Sequence, residues 1–372
     1  MHPDTTPIPA RWIVLALALA LATGCRGSAA SPPQADSNPV PAGAETEASP
    51  TSCGICLAHS YQARGARGYG TNASEGSLNR LSEIGIGAIS LTPFGYQNAR
   101  GAVTIRSSEG FPGGENTDVM RIDAERARAH GMTVMVKPHL WITGAWRGEI
   151  VPDATLGGWE AWFVGYTEFI LEWARFAEEI EADWFVVGVE LKTSSTHTEL
   201  WRQLIATIRE VYSGQLTYAA NWDEVGQIEF WSELDAVGVQ MFAPLAEEGV
   251  PATAQSAREA AARWLETFWT TSNAAERPLI LTEADVINHA NSLVRPYEWP
   301  TNAREESTPE GELHQRWAYE AIIETFGRAD DVLGIYWWKV FTDLETREEG
   351  DVGFSPLDKP AETLLREICR TN

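Results

Sequence analysis

The sequence predicts an α/β fold of the (β/α)8 TIM-barrel type, in which eight parallel strands alternate with helices. One observation is a set of apolar runs of strand length, spread along the chain without a sequence repeat. The clear runs are Gly85–Phe94, Gly131–Ile142, Asp183–Leu191, Gly214–Trp222, Leu234–Leu245, Arg277–Val286 and Val332–Phe341. The other is that helical patterns lie between them, such as Trp159–Ile180 and Thr198–Tyr212, with apolar residues at the spacing of a helix packed on a sheet.

An eighth, weaker strand is expected near Leu57–Gly65, where it comes first in the chain. Alternating strands and helices indicate a parallel sheet, and a doubly wound open sheet is the alternative to a barrel. No Gly-rich phosphate-binding loop follows the early strands, which favours the barrel. The 372 residues suffice, because such a barrel takes roughly 250.

The N-terminal segment has the features of an export signal. Arg11 precedes the apolar run "WIVLALALALATG", which is too short to span a bilayer and has the length of a signal-peptide core. The run ends at Cys25 in "LATGC", which resembles a bacterial lipobox, although Ala22 stands where leucine is usual. We therefore expect a signal peptide over 1–24 and a lipid on Cys25. Simple secretion is the alternative.

A segment rich in Pro, Ala, Ser and Glu follows Cys25. Its low apolar content predicts a disordered tether over residues 25–52, ahead of a barrel domain over 53–372. The expected location is the cell envelope or periplasm of a bacterium, with the lipid as the sole membrane contact. We expect a monomer.

The composition excludes some partners. The chain has 52 acidic against 28 basic residues, a net charge of −24, which opposes binding to nucleic acid. Its 16 Trp residues offer flat rings for sugar faces, although core packing is the commoner use.

The cysteines suggest a disulfide in an exported protein. Cys53 and Cys56 lie where the tether ends, and Cys369 lies near the C-terminus. One of the first two could pair with Cys369. These residues supply only three ligands for zinc, so no metal and no cofactor are expected.

Polar or aromatic residues stand at the C-terminal ends of the predicted strands, where barrel enzymes place their catalytic groups. They are Thr92, Lys137, His139, Glu190, Asn221, Gln240, Glu283, Trp337 and Trp338. Any one of them could merely mark where a strand leaves the core.

Glu190 and Glu283 are the predicted catalytic pair, because both end apolar runs on strands four and seven. Strands in those positions face each other across a barrel mouth. Two carboxylates about 5–5.5 Å apart suit a retaining glycosidase, with one acid protonated and the other ionised. The alternative is that each Glu forms an ion pair with a Lys or Arg at the barrel rim.

The chain from about Tyr61 to Ile368 resembles glycoside hydrolase family 113, clan A TIM-barrel enzymes that act mainly as β-1,4-mannanases. The resemblance is carried by "VKPHLWITGAWRGEI", "GVEL", "LILTEADV", "GIYWWKV" and "GFSPLDKPAE", in order. It implies that Glu190 is the acid/base and Glu283 the nucleophile. The full set of expected substrate-binding residues is Lys137, His139, Trp141, Asn221, Trp222, Gln240, Trp337 and Trp338.

Three departures from the family pattern are visible. Val189 replaces the threonine of "GTEL", and Phe242 replaces a tyrosine whose hydroxyl commonly reaches the nucleophile in clan A. "EADVINH" replaces the usual Gly-Tyr after the nucleophile. The expected function is hydrolysis of a β-linked polysaccharide, with β-mannan first. The alternative is a surface glycan-binding lipoprotein that has lost turnover.

Other reactive residues are given structural roles. His197, His289 and His314 lack the paired spacing of a metal site, and Ser194 and Ser195 lack a "GxSxG" elbow. Asp285 either faces the cleft or caps a loop.

Overall fold

The computed structural model describes residues 52–61, 66–108, 114–299, 305–346 and 348–370. The predicted signal peptide, Cys25 and nearly all of the tether lie outside these residues. In chain order the elements are β1 (Ser52–Ala58), α1 (Asn72–Ile84), β2 (Ala88–Leu91), β3 (Phe94–Gln97), β4 (Arg106–Ser107), α2 (Thr117–Ala129), β5 (Thr133–Val136), β6 (His139–Ile142), α3 (Gly158–Glu179), β7 (Trp184–Val189), α4 (Thr198–Arg209), β8 (Gln215–Asn221), β9 (Ala236–Met241), α5 (Ala254–Ala275), β10 (Leu279–Ala284), α6 (Pro309–Thr325), β11 (Val332–Phe341) and α7 (Pro360–Cys369).

Eight of these strands close into a parallel barrel in the order β1, β11, β10, β9, β8, β7, β5, β2. The predicted (β/α)8 fold is confirmed. Every residue of β7 and of β10 is buried, as expected for barrel strands that pack on the interior with one face and on helices with the other.

The first strand lies earlier than predicted. β1 spans Ser52–Ala58, whereas the prediction began at Leu57 and ran to Gly65. The segment "SCGICLA" is short of β-branched residues, so its strand character comes from its neighbours β2 and β11. Gly54 is required there, because a Cβ would lie 2.6 Å from the ring of Tyr336.

Two predicted strands are each divided by a proline. Pro93 separates β2 from β3, and Pro138 separates β5 from β6. Proline has no N–H for the ladder, so the chain leaves the barrel sheet at these points. β3 and β6 then pair with each other in parallel, and β4 joins β3, which forms a small three-stranded sheet beyond the barrel strands.

The helices follow the predicted apolar patterns. α3 and α4 lie within a few residues of the predicted ranges. Between β8 and β9 the described chain has two 3-10 turns, Val225–Gln227 and Trp231–Glu233, where a regular barrel has a helix. No helix among the described residues is long and apolar enough to cross a membrane.

A disulfide joins the start and the end of the barrel. Cys53 on β1 bonds Cys369 on α7, with 5.6 Å between the Cα atoms. Of the two partners that the sequence left open, the structure selects Cys53. Cys56 is a buried free thiol whose side chain faces the barrel interior, near Lys137.

Candidate active site

The two predicted catalytic carboxylates line one cavity of about 430 Å³. Glu190 directly follows β7, and Glu283 lies near the end of β10, so both stand at the C-terminal ends of barrel strands. Glu190 has a positive φ of 52°, a conformation that costs free energy for a residue with a side chain and is concentrated at functional sites. The cavity lining comprises His139, Trp146, Arg147, Glu190, Asn221, Trp222, Asp223, Phe242, Glu283, Tyr297, Trp299, Trp338 and Phe354.

Glu283 is held by a buried lysine. Lys137 Nζ lies 2.6 Å from Glu283 Oε1, and the two side chains are 0% and 5% exposed. Lys137 also donates to the carbonyl of Thr282 at 2.8 Å and to Cys56 Sγ at 3.2 Å. The ammonium is thus surrounded by acceptors and sits beneath the carboxylate as its counter-charge.

His139 lies beside the same carboxylate, with Nε2 3.4 Å from Glu283 Oε1. Its other ring nitrogen, Nδ1, is 2.8 Å from Arg147 Nη1. Arginine can only donate, so Nδ1 accepts and the ring proton is on Nε2. Burial, followed by the charges of Arg147 and Lys137, holds the pKa of His139 well below its usual value. The imidazole is therefore neutral, with its N–H beside the Glu283 carboxylate.

Glu190 has different surroundings. Its Oε2 is 3.4 Å from Trp146 Nε1, which donates, and 3.6 Å from Arg147 Nη1. Burial raises the pKa of Glu190, the charge of Arg147 lowers it, and the negative charge of Glu283 raises it again, with a net upward shift. Glu190 is suited to hold a proton, whereas Glu283 faces the Lys137 ammonium.

Aromatic rings form the walls of the cavity. Trp338 stacks on His139 with ring centroids 5.5 Å apart, and Phe242 meets the ring of Phe354 edge to face at 6.1 Å. Lys339 Nζ lies over the rings of Trp338 and Trp299, at 5.0 and 4.6 Å. The departure at Phe242 therefore places a phenyl ring in the cavity wall, without a hydroxyl.

Six predicted residues line the cavity: Glu190, Glu283, His139, Asn221, Trp222 and Trp338. Lys137 and Gln240 do not; both are fully buried below the cavity, and Gln240 Oε1 accepts from Thr282 at 3.3 Å. The expectation that they bind substrate is corrected to a supporting position. Thr92 is also buried and donates to the carbonyl of Leu57.

The expectation for Trp337 is wrong. Its ring is 1% exposed and stacks on Tyr319 of α6, with centroids 3.9 Å apart. Neighbouring residues of a strand point to opposite faces, so Trp338 faces the barrel mouth and Trp337 faces the helix layer. Asp285 also faces that layer, where it accepts from Tyr319 Oη at 2.6 Å. Trp141 lies outside the cavity on β6 and is 58% exposed.

Several cavity residues were missed. Trp146 and Arg147 follow β6 within the quoted "TGAWRGEI", but no strand end marked them. Tyr297, Trp299 and Phe354 lie on the loops after β10 and β11. Loop residues carry no periodic signal, so only their proximity to Glu190 and Glu283 reveals them.

A parallel eight-stranded barrel with two glutamates in one aromatic cavity defines the class of barrel glycoside hydrolases. The sequence model of glycoside hydrolase family 113 matches residues 59–359, and the chain therefore belongs to that family and is a glycoside hydrolase. Among curated proteins none matches the sequence.

Solved structures share the fold. The family 113 β-mannanase AaManA from Alicyclobacillus acidocaldarius, in complex with ManMIm, is 23% identical with a TM-score of 0.74, over 87% of this chain and 98% of that chain. A family 113 β-1,4-mannanase complex is 20% identical with the same TM-score, over 87% of this chain and 100% of that one. A β-glucuronidase from Faecalibacterium prausnitzii has a TM-score of 0.55 at 12% identity, over 87% of this chain and 49% of that chain.

Proposed function

We propose that the chain cleaves a β-linked polysaccharide with retention at the anomeric carbon, and that β-1,4-mannan is its substrate. The observation that carries the proposal is the unlike setting of two glutamates in one cavity: Glu283 against the Lys137 ammonium and Glu190 with a raised pKa. Such a difference separates nucleophile from acid. The two β-mannanases that share the fold support the choice of mannan.

In the first step the Glu283 carboxylate attacks the anomeric carbon, and Glu190 gives its proton to the departing glycosidic oxygen. The products are a covalent glycosyl-enzyme and a shortened chain. In the second step the ionised Glu190 takes a proton from water, which attacks the same carbon and frees Glu283. Two displacements restore the original configuration.

The sugar at the cleavage point has matching partners in the cavity. The ring of Trp338 can pack on the C–H face of a pyranose. His139 lines the cavity and places its Nε2–H beside Glu283, the group that attacks the anomeric carbon in this proposal. Asn221, also in the lining, adds an amide. No step needs a cofactor.

A binding role without turnover is the second candidate function. It is favoured by Phe242, which gives the cavity wall no hydroxyl where the family pattern has a tyrosine. Retention of both glutamates and of the buried Lys137 counter-ion argues for catalysis, because a binding module needs no such pair.

The test is a polysaccharide panel with reducing-end detection, followed by two variants. Glu283→Ala should abolish hydrolysis, and azide should restore turnover with inversion. Glu190→Ala should reduce turnover of mannan by about 10² to 10⁴ and spare activated aryl glycosides, and azide should then give a retained product. Full activity of Glu190→Ala on mannan contradicts the assignment, and wild-type protein that binds but never cleaves supports the second candidate.

We also propose that the protein is exported and anchored by a lipid on Cys25, because a short apolar run ends at "LATGC" ahead of a Pro- and Ser-rich segment. Cys25→Ala should move the protein from the membrane to the soluble fraction. Unchanged fractionation rules out the anchor.

A further inference from the structure

The small sheet presents one partly exposed face beside the cavity. Phe94 pairs with His139 and Tyr96 with Trp141 across β3 and β6, so the four side chains share a face. The intervening residues are buried on the other side, where Gln97 Oε1 accepts from Trp162 of α3 at 3.0 Å. On the first face Trp141 is exposed, Phe94 and Tyr96 are partly exposed, and His139 is buried. One face is therefore anchored to the protein, and the other is exposed at its outer end among the described residues.

This partly exposed face continues from the cavity that holds Glu190 and Glu283. His139 lines the cavity, and its ring lies 5.1 Å from that of Phe94. Two residues further along the same strands come Tyr96 and Trp141, a displacement of about 6.5 Å on one face of a strand. A chain that leaves the cavity past His139 would next meet these two rings.

Tyr61 extends the same surface. Its hydroxyl is 3.0 Å from that of Tyr96, and its own backbone N–H donates to Glu348 Oε1 at 2.8 Å. Tyr61 is 48% exposed and Trp141 is 58% exposed. We call Tyr61, Tyr96 and Trp141 the aromatic platform.

The platform is held in place from below. Glu115 is buried, and its Oε2 accepts from the backbone N–H of Phe94 at 2.9 Å. Burial raises the pKa of Glu115 to about 8, so this carboxyl is mostly protonated and neutral at neutral pH. Arg106 is the partner of Tyr96 on β4 and is exposed at the edge of the sheet.

We propose that the aromatic platform is a second glycan-binding site, which holds sugar units of the same polysaccharide chain outside the cavity. The proposal rests on the proposed function. Flat rings that are exposed or partly exposed fit the C–H faces of neutral sugars, and Arg106, which is exposed on the neighbouring strand β4, adds hydrogen-bond donors for sugar hydroxyl groups. The continuity through Phe94 and His139 identifies the occupant as the substrate chain. We therefore expect the enzyme to prefer long polysaccharide chains over short substrates.

The test compares a substrate that fills the cavity with one that extends beyond it. For each variant, kcat/KM on mannohexaose is divided by kcat/KM on an aryl β-mannoside, measured on one sample so that any loss of folded protein cancels. Trp141→Ala should lower this ratio about three- to tenfold, and Tyr96→Ala should do the same. Trp269→Ala, which removes a Trp ring from the outer helix α5, is the matched control and should leave the ratio unchanged. An unchanged ratio in both platform variants overturns the proposal.

A binding measurement separates this proposal from the proposed function. If the wild-type protein cleaves neither substrate, the proposed function fails, and affinity electrophoresis of Glu283→Gln through gels containing mannan, glucan or galactan tests the platform. Retardation that weakens with Trp141→Ala supports the second site. Retardation that is unaffected, or absent from every gel, overturns it.

Discussion

Replacement of Lys137 by Met tests the buried ion pair beneath the cavity. The ammonium lies 2.6 Å from Glu283 Oε1, and the side chains are 0% and 5% exposed. Methionine fills a similar volume but leaves the carboxylate buried without its counter-charge, with the neutral His139 ring 3.4 Å away. Removing one partner of a buried pair costs about 3–5 kcal/mol, and we expect the free energy of unfolding to fall by that amount.

The chain contains a matched control for this substitution. Lys192 Nζ is also 2.6 Å from a carboxylate, that of Asp223, but these side chains are 31% and 36% exposed. Solvent screens this pair, so Lys192→Met should cost within about 1 kcal/mol. The two variants differ in burial and not in distance.

The assay is urea unfolding at pH 7 followed by tryptophan fluorescence. The double variant Lys137→Met/Glu283→Gln carries no unpaired charge and should be more stable than Lys137→Met alone by about 2 kcal/mol. Equal losses for Lys137→Met and Lys192→Met would refute the reasoning, as would a double variant no more stable than the single one. Lys137 would then contribute packing and not charge.

Three further predictions concern other parts of the barrel. The charge of Arg147 lowers the pKa of Glu190, so Arg147→Ala should raise that pKa. Because a general acid loses its proton as the pH rises through its pKa, the basic limb of the kcat/KM profile should move to higher pH in this variant. A shift of the basic limb to lower pH would contradict the prediction. Trp337→Ala should lower the free energy of unfolding by about 3–5 kcal/mol in denaturant, whereas Trp338→Ala should mainly lower kcat/KM. The reverse pattern would mean that Trp337 faces the cavity and Trp338 packs in the core. Cys369→Ser should lower stability by about 2–5 kcal/mol, and reduced wild-type protein should show the same loss, unless the disulfide is absent in solution.

The fold and the positions of the two candidate glutamates were both readable from local patterns. Barrel strands are buried on both faces, so each one appears as an unbroken apolar run, and "FVVGVE" and "LILTE" show where two such runs reach a carboxylate. Because barrel enzymes place their catalytic groups at strand ends, the sequence predicts Glu190 and Glu283 as a pair, and the structure places both in one cavity. β1 was misplaced because its short segment has Ile55 as its one β-branched residue.

Which face a residue occupies was decided only by the tertiary structure. In β11 both "WW" residues are buried, so the sequence does not show that Trp338 faces the cavity while Trp337 packs on α6. The sequence also does not show that Cys53 bonds Cys369 while the side chain of Cys56 faces Lys137. Contacts between separate elements of the chain leave no local sequence pattern.

The sequence by itself determined the elements of this protein, because hydrophobic periodicity and strand-end carboxylates are properties of short segments. The tertiary structure decided what those elements bring together. The buried pair of Lys137 and Glu283 joins β5 to β10, and the contact of Arg147 with His139 and Glu190 depends on how one loop folds over the barrel mouth. The environments of the two glutamates are set by burial and by charges from distant segments, and only barrel closure creates both.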